Sequence, residues 1–138
     1  MSAADHVSEQ MKDYLPARVL RGYNINPYDL ERHENYTGSG NPGDFWTDAH
    51  YETQSAHRMD LIPVRNGEES VRFPVTVFDG PLPKEVPTGP HHAEHLPTIA
   101  NGHHRIAAAY AADPESLVPV IRFAPPSHFN EAVREGQA

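Results

Sequence analysis

The sequence predicts an α+β fold, in which residues 1–138 form a single domain with a small mixed β-sheet flanked by helices. Two segments have strand patterns: "VRFPVTVFDG" alternates apolar and polar residues, and "LVPVIRF" is almost entirely apolar. The intervening "HHRIAAAYAA" has the alanine content of a stable helix. A chain of 138 residues has the size of one domain and can hold a core without covalent staples.

The N-terminal segment predicts a short amphipathic helix. Val7, Met11 and Tyr14 in "ADHVSEQMKDYL" recur at helical spacing. Pro16 is expected to end this helix, because proline cannot continue the hydrogen-bond ladder. The following "ARVLRGYNI" is expected to be extended or irregular.

Two further helices with a loop between them are predicted next. Asn26 as a helix cap and Pro27 at the first helical position predict a helix to about Glu34. The glycine-containing residues 37–43, "TGSGNPG", predict a loop that is long enough to cover a site. The segment "DFWTDAHYETQSAHRM" then predicts a helix that Trp46 anchors.

The C-terminal half predicts three strands, one helix and one wide loop. Pro74 places the first strand at a sheet edge or marks its beginning. The Pro- and His-rich residues 80–97 predict a loop, after which "PTIA" forms a short strand. A helix is expected over residues 103–112, followed by "LVPVIRF" as a central, buried strand and by a short helix in the tail "NEAVREGQA".

Composition excludes several classes of function. The chain has no cysteine, which excludes disulfides, thiolate catalysis and cysteine-ligated metals. Its net charge of −8 repels phosphate backbones at long range, so specific DNA binding is not expected. The N-terminus lacks a signal pattern, and no apolar run approaches the ~20 residues of a membrane span. We therefore expect a cytoplasmic protein with no membrane partner.

A glycine turn with two histidines and an arginine precedes the alanine-rich helix, in "TIANGHHRIAAAYAA". Arg105 would lie in the first turn of this helix, where the dipole already contributes about +0.5 charge. A cation is unfavourable there unless an anion binds beside it. The free amides of the first turn and the arginine fork can together bind a phosphate. The predicted phosphate- or nucleotide-binding residues are Gly102, His103, His104 and Arg105.

The same turn has a purely structural interpretation. Strand–glycine–helix turns occur in many folds for packing alone, and both histidines of this turn could be surface residues. Arg105 would then pair with an acidic residue: Asp79, Glu94 or Glu115.

A second group of histidines lies in "HHAEH", within the proline-rich loop. His91, His92 and His95 are imidazoles that could hold Zn²⁺ or another divalent ion, although their order is not that of the zincin motif. Alternatively, the loop is solvated, or it folds over the glycine turn. In the last case Glu94 could act as a general base or hold Mg²⁺ through a nucleotide.

Other polar residues could complete the site. Arg32 and His33 could face it from the helix that Asn26 begins. The acidic residue beside the phosphates remains open, and the candidates besides Glu94 are Asp29, Glu31, Asp60, Glu68 and Glu69.

The order strand, glycine turn, helix, short loop, strand resembles the ParB/sulfiredoxin-like superfamily. That signature has a glycine, a His-Arg or Arg-Arg pair, two alanines and a following V-P-V strand. The residues that match it here are Gly102, His104, Arg105, Ala108, Ala109, Val118, Pro119 and Val120. The match covers about a fifth of the chain, and weaker agreement extends upstream into "RMDLIPVRNGEESVRFPVTVF".

The resemblance implies that residues 102–105 hold the phosphates of CTP or ATP with Mg²⁺, near an acidic residue. We expect His103 or Glu94 to transfer a proton. Sulfiredoxins carry a catalytic cysteine where this chain has His103, so sulfinic acid reduction is excluded. ParB partition proteins continue into a helix-turn-helix, for which few residues remain here, so centromere binding is not expected.

The resemblance therefore indicates a stand-alone, short version, of the kind labelled ParB-like nuclease in phages and mobile elements. Its expected activity is that of a Mg²⁺-dependent NTPase, phosphotransferase or nuclease. One alternative is a non-enzymatic interaction protein that keeps the fold and binds a host protein. The other is a metal-dependent nuclease built on the histidines.

Overall fold

A four-stranded mixed sheet organises the chain in the computed structural model, which describes residues 12–124. The strands are β1 (Lys12–Pro16), β2 (Val75–Phe78), β3 (Thr98–Asn101) and β4 (Leu117–Phe123). Their order across the sheet is β1-β4-β2-β3. The β2 and β4 strands are parallel, whereas β1 and β3 run antiparallel to their neighbours. The expected α+β fold with a small mixed sheet is therefore confirmed.

Five α-helices and one 3₁₀ helix accompany the sheet within the described residues. The α-helices are α1 (Ala17–Leu20), α2 (Pro27–Thr37), α3 (Pro42–Thr53), α4 (Ile62–Arg65) and α5 (His103–Ala112). The 3₁₀ helix spans Ala56–Leu61. None of the helices between residues 12 and 124 has the length and apolar character needed to cross a bilayer.

The core lies between the sheet and α5, which also packs against α3 and α4. Ile106, Ala107 and Ala108 of α5 are fully buried, as are the inward-facing valines of β2 and β4. The small alanine side chains allow the helix to approach the sheet closely. The strand β4 pairs with both β1 and β2, which confirms its predicted central position. Pro74 directly precedes β2, an interior strand, so it marks a strand's beginning rather than an edge.

The predicted N-terminal helix is wrong where the structure describes it, and its earlier residues lie outside the described range. Residues 12–16 form β1 because they pair antiparallel with β4, from Lys12 opposite Ile121 to Pro16 opposite Leu117. The next segment was expected to be extended but forms α1. Its first amides, from Ala17 and Arg18, donate to carbonyls of the α5–β4 loop at 2.9 and 2.8 Å. In both β1 and α1, hydrogen bonds to distant segments therefore decide the structure against the local sequence pattern.

An Asn-Pro pair begins both α2 and α3. The Asn26 side chain accepts a hydrogen bond from the Tyr28 amide at 3.0 Å, as predicted, and α2 continues past Glu34 to Thr37. Asn41 caps α3 in the same way. The loop predicted over residues 37–43 is therefore confined to residues 38–41, because the second Asn-Pro pair begins a helix.

The helix predicted over "DFWTDAHYETQSAHRM" is divided in two. The α3 helix ends at Thr53, and the 3₁₀ helix follows it. Trp46 is 3% exposed and confirms its role as an anchor. Residues 80–97 contain neither helix nor strand, as predicted, and the helix predicted in the tail lies outside the described residues.

Candidate functional site

A cavity of about 780 Å³ opens at the N-terminus of α5. Its walls come from α2, α3, the 3₁₀ helix and the β3–α5 turn. The polar and charged side chains among its lining residues are Asp29, Arg32, His33, Tyr36, Thr37, Asp48, Tyr51, Glu52, Arg58, Asn101, His103, His104 and Arg105. All four residues predicted to bind phosphate, Gly102 to Arg105, line this cavity.

Gly102 forms the turn from which α5 begins. Its φ of 105° lies in the left-handed region that side chains disfavour. A Cβ atom at this position would lie 2.5 Å from Cγ1 of Val75. The first amides of any helix have no intrahelical acceptors. Because no side chain caps this turn, the first amides of α5 also lack a side-chain acceptor at the end of the helix that borders the cavity.

Arg105 is held in the cavity wall by neutral acceptors. Its Nη1 atom donates to the carbonyl oxygens of Phe73 at 3.1 Å and Pro74 at 2.8 Å. Burial lowers the pKa of Arg105, the nearby Arg58 lowers it further, and Asp60 acts against both. The positive charge is therefore oriented by carbonyl groups but not neutralised by them.

None of the partners expected under the packing interpretation contacts Arg105, and two of them pair with other arginines. Asp79 accepts a hydrogen bond from Arg122 at 3.2 Å, and Glu115 pairs with Arg18. Within residues 12–124, no carboxylate lies within 4.0 Å of the Arg105 guanidinium. Among the described residues, Arg105 is therefore held by two carbonyl groups and not by a structural ion pair.

His103 is buried beneath the cavity and is electrically neutral. Burial lowers its pKa to about 3, and the neighbouring His104 acts in the same direction. Its ring packs edge-on against Phe45, with ring centroids 5.2 Å apart. The Asn26 amide donates to Nε2 at 3.3 Å, so the ring hydrogen resides on Nδ1. This Nδ1 lies 3.5 Å from Oδ2 of Asp29.

The predicted proton-transfer role of His103 does not fit this geometry. Its basic nitrogen is occupied by a backbone amide, and the residue is only 5% exposed. His103 instead faces the Asp29 carboxylate with an N–H group. The two groups are 3.5 Å apart.

Asp29 is the acidic candidate that the structure brings to the glycine turn. It lines the cavity from the first turn of α2. Burial raises its pKa, and the nearby Arg32 and His104 partly oppose this effect. A carboxylate with a raised pKa in a polar cavity is suited to accept a proton. The other acidic candidates named from the sequence are absent from the cavity lining: Glu31, Asp60, Glu68, Glu69 and Glu94.

Two histidine–carboxylate contacts connect the cavity walls. Nε2 of His33 on α2 lies 2.6 Å from Oδ2 of Asp48 on α3. Nδ1 of His33 lies 2.9 Å from the Ser39 carbonyl, so both contacts of this ring are with acceptors. Nε2 of His104 on α5 lies 2.6 Å from Oε2 of Glu52. These contacts fix α3 relative to α2 and α5. Asp29 differs from Asp48 and Glu52, because the His103 ring nitrogen nearest to it is 3.5 Å away.

The histidine-rich loop lies against a different part of the molecule. The Asn24 side chain donates to the carbonyls of Ala93 at 2.7 Å and Leu96 at 3.0 Å, and it accepts from the Ala93 amide at 2.8 Å. His91 and His92 line a second cavity, of about 330 Å³, beside Trp46. Asn24 thus fixes the loop away from the glycine turn.

The loop residues therefore do not join the first cavity. Glu94 and His95 are exposed and line neither cavity, so the suggested base or Mg²⁺ contact of Glu94 is not supported. Within the described residues, no three histidine or acidic side chains converge to hold a metal ion. This result includes His91, His92 and His95, whose Zn²⁺ site was suggested from spacing alone.

Comparison with protein-family models, curated proteins and solved structures finds no match to this chain.

Sequence reasoning missed the wall that α3 contributes. Phe45, Asp48, Ala49 and Glu52 recur at spacings of three or four residues and line the cavity together. The sequence signal was the Asn41 cap, which begins a helix and gives these residues a common face. Arg58 was also missed, because its placement depends on the break between α3 and the 3₁₀ helix.

Proposed function

We propose that this protein binds a nucleotide, with the phosphates at the N-terminus of α5, and hydrolyses or transfers the terminal phosphoryl group. In this proposal the site is of the ParB/sulfiredoxin-like type. The observation that carries the proposal is the placement of the Arg105 guanidinium. Two carbonyl groups orient it, and it lies near Arg58 and the free amides of the first turn of α5. Converging positive groups are favourable where an anion binds among them.

Asp29 is the proposed general base. It would accept a proton from a water or hydroxyl group as that oxygen forms a bond to the terminal phosphorus. The bond from phosphorus to the bridging oxygen breaks, and the leaving group is the shortened nucleotide. Burial raises the pKa of Asp29, which makes it a stronger base than an exposed aspartate. The Arg105 guanidinium and the helix amides would stabilise the charge on the transferred group.

A resident metal ion does not fit the described cavity residues. Asp48 and Glu52 are bonded to histidines of the neighbouring helices, which leaves Asp29 as the remaining carboxylate. In this proposal Mg²⁺ accompanies the nucleotide phosphates, a common arrangement in which few protein ligands are used. No catalytic step is assigned to the metal here.

The test is a thermal-shift and calorimetry panel with CTP, ATP and GTP, each with and without Mg²⁺. We expect at least one nucleotide to stabilise the protein, and Arg105→Ala to abolish that response by removing the oriented charge. The matched control is Arg72→Ala, because Arg72 is exposed and pairs with Glu69 outside the cavity. Circular dichroism of each variant verifies the fold.

Phosphate release then separates binding from turnover. Asp29→Asn should retain the nucleotide response but lose phosphate release, since the amide cannot accept the proton. An unchanged response in Arg105→Ala would show that the phosphate site is assigned incorrectly. No response of the wild-type protein to any nucleotide would instead favour the non-enzymatic interaction protein.

A further inference from the structure

Tyr36 is an exposed aromatic residue at the wall of the cavity. It lies in the last turn of α2 and is 91% exposed, yet it is one of the residues that line the cavity. An aromatic ring left this open contributes little to the packing of the fold. Its two faces are accessible to a ligand in the cavity, and aromatic faces bind flat unsaturated rings by stacking.

The cavity residues of α2 form one stripe along that helix. Asp29, Arg32, His33 and Tyr36 follow the i, i+3, i+4, i+7 spacing of a single face. Seven residues separate Asp29 from Tyr36, which corresponds to about 10 Å along the helix axis. Arg32 lies between them, one helical turn from each, and its side chain is 78% exposed.

The two ends of this stripe have different chemistry. The Asp29 end meets the N-terminus of α5, because Oδ2 of Asp29 lies 3.5 Å from Nδ1 of His103. The proposed anion site is at this end, where the first turn of α5 carries Arg105. The Tyr36 end carries an open aromatic ring. A ligand that matches both ends has an anionic group and a flat ring about two helical turns apart.

We propose that Tyr36 is the stacking platform for the base of a mononucleotide whose phosphates lie at the N-terminus of α5. This inference rests on the proposed function and adds the position of the base. Arg32, in the middle of the stripe, places Nη1 3.5 Å from Oδ1 of Asp29, so its charge lies between the phosphate end and the base end. A free nucleotide fits better than a polymer, because the net charge of −8 repels a chain of phosphates.

Tyr51 is the other exposed tyrosine of the cavity, but its position suits the phosphate end. It is 75% exposed and adjoins Glu52, whose Oε2 atom lies 2.6 Å from Nε2 of His104 in the first turn of α5. Tyr51 therefore stands near the anion site rather than at the distant end of the stripe. It provides a matched control: an exposed tyrosine of the same cavity with a different position.

The experiment compares ATP and CTP with inorganic triphosphate, which has the anionic groups but no base. Binding to the wild-type protein, Tyr36→Ala, Tyr36→Phe and Tyr51→Ala is measured by calorimetry. Tyr36→Ala should weaken the binding of the preferred nucleotide about tenfold, the scale of one base–aromatic stack. It should leave the binding of triphosphate unchanged. Tyr36→Phe keeps the ring and should retain nucleotide affinity. Tyr51→Ala, at the phosphate end, should change the affinities for nucleotide and triphosphate by the same factor.

The outcomes separate this inference from the proposal on which it rests. If Arg105→Ala loses nucleotide binding while Tyr36→Ala keeps it, the base position is wrong and the phosphate site stands. Equal affinity of the wild-type protein for nucleotide and triphosphate would also overturn the base platform. If neither ligand binds, both proposals fail. A single-stranded oligonucleotide that binds more tightly than ATP and CTP would replace the mononucleotide with a polymer.

Discussion

At the scale of single residues, the environment of each cavity side chain assigns its role more clearly than its chemical type does. His103 and His104 are adjacent in the sequence but differ in their surroundings. His103 is buried, neutral and bonded to a backbone amide, whereas His104 is partly exposed and contacts Glu52. The basic nitrogen of the histidine expected to transfer protons is therefore occupied by the Asn26 amide.

The burial of His103 makes the stability of the fold depend on pH. Its pKa in the folded protein is about 3, below the ordinary value of 6.5, so the unfolded chain binds the proton first as the pH falls. This group therefore removes stability below pH 6.5, by up to about 1.4 kcal/mol per pH unit, until the folded state is protonated. In His103→Gln the decline in the free energy of unfolding should be shallower. Urea denaturation at a series of pH values between about pH 8 and pH 4 measures this slope.

Two other groups with shifted pKa values also affect the pH dependence of stability. The pKa of Asp29 is raised by burial, so its protonation offsets part of the loss. Burial lowers the pKa of His50, which adds to the loss and remains in the variant. The control is His57→Gln, since His57 is exposed, and it should keep the wild-type slope. A wild-type slope in His103→Gln would contradict the assigned neutral state.

At the scale of elements, the β3–α5 turn depends on one glycine. Both Gly38 and Gly102 have positive φ angles, of 83° and 105°. They differ in the space around the missing Cβ atom: no atom lies within 4 Å at Gly38, but Val75 lies 2.5 Å away at Gly102. This contrast separates the cost of backbone strain from the cost of a steric clash.

Alanine substitutions at the two glycines test this contrast. Gly38→Ala should lower the free energy of unfolding by about 1 kcal/mol, the cost of strain alone. Gly102→Ala should cost about 3 kcal/mol or more, because Val75 must also move. Chemical denaturation gives both values. Equal costs would show that α5 and β2 are less closely packed than the structure describes.

Elements with their own start and stop signals followed the sequence prediction closely. The helix α5 spans residues 103–112, as its alanines and the Gly102 turn predicted, and Asn26 caps α2. The sequence failed at β1, which lacks a strand pattern of its own. Its backbone groups are paired by β4, a strand about one hundred residues away. A local pattern cannot report such a partner.

At the scale of the whole molecule, Asn24 determines where the histidine-rich loop lies. This buried side chain makes three hydrogen bonds to residues 93 and 96, far along the chain. Asn24→Ala should release residues 80–97, with faster amide hydrogen exchange and proteolysis there. The nucleotide response should be unchanged, because the loop does not line the phosphate cavity.

The exposed Asn66 supplies the control for this prediction. Asn66→Ala should leave hydrogen exchange in residues 80–97 as it is in the wild type. If Asn24→Ala altered nucleotide affinity without changing exchange in the loop, the loop would act on the cavity instead. That result would show that the role assigned to Asn24 is wrong.

The sequence by itself determined the α+β class, the α5 helix, the glycine turn and the four residues proposed to bind phosphate. These features depend on contiguous residues, whose propensities and spacing act locally. Only the tertiary structure decided which acidic residue lies in the same cavity. The sequence does not distinguish Asp29 from Glu94, but in the fold Asp29 lines the cavity and Glu94 does not. It also decided the protonation of His103. The ring is buried by the tertiary packing, and it accepts a hydrogen bond from the Asn26 amide, 77 residues away in the sequence.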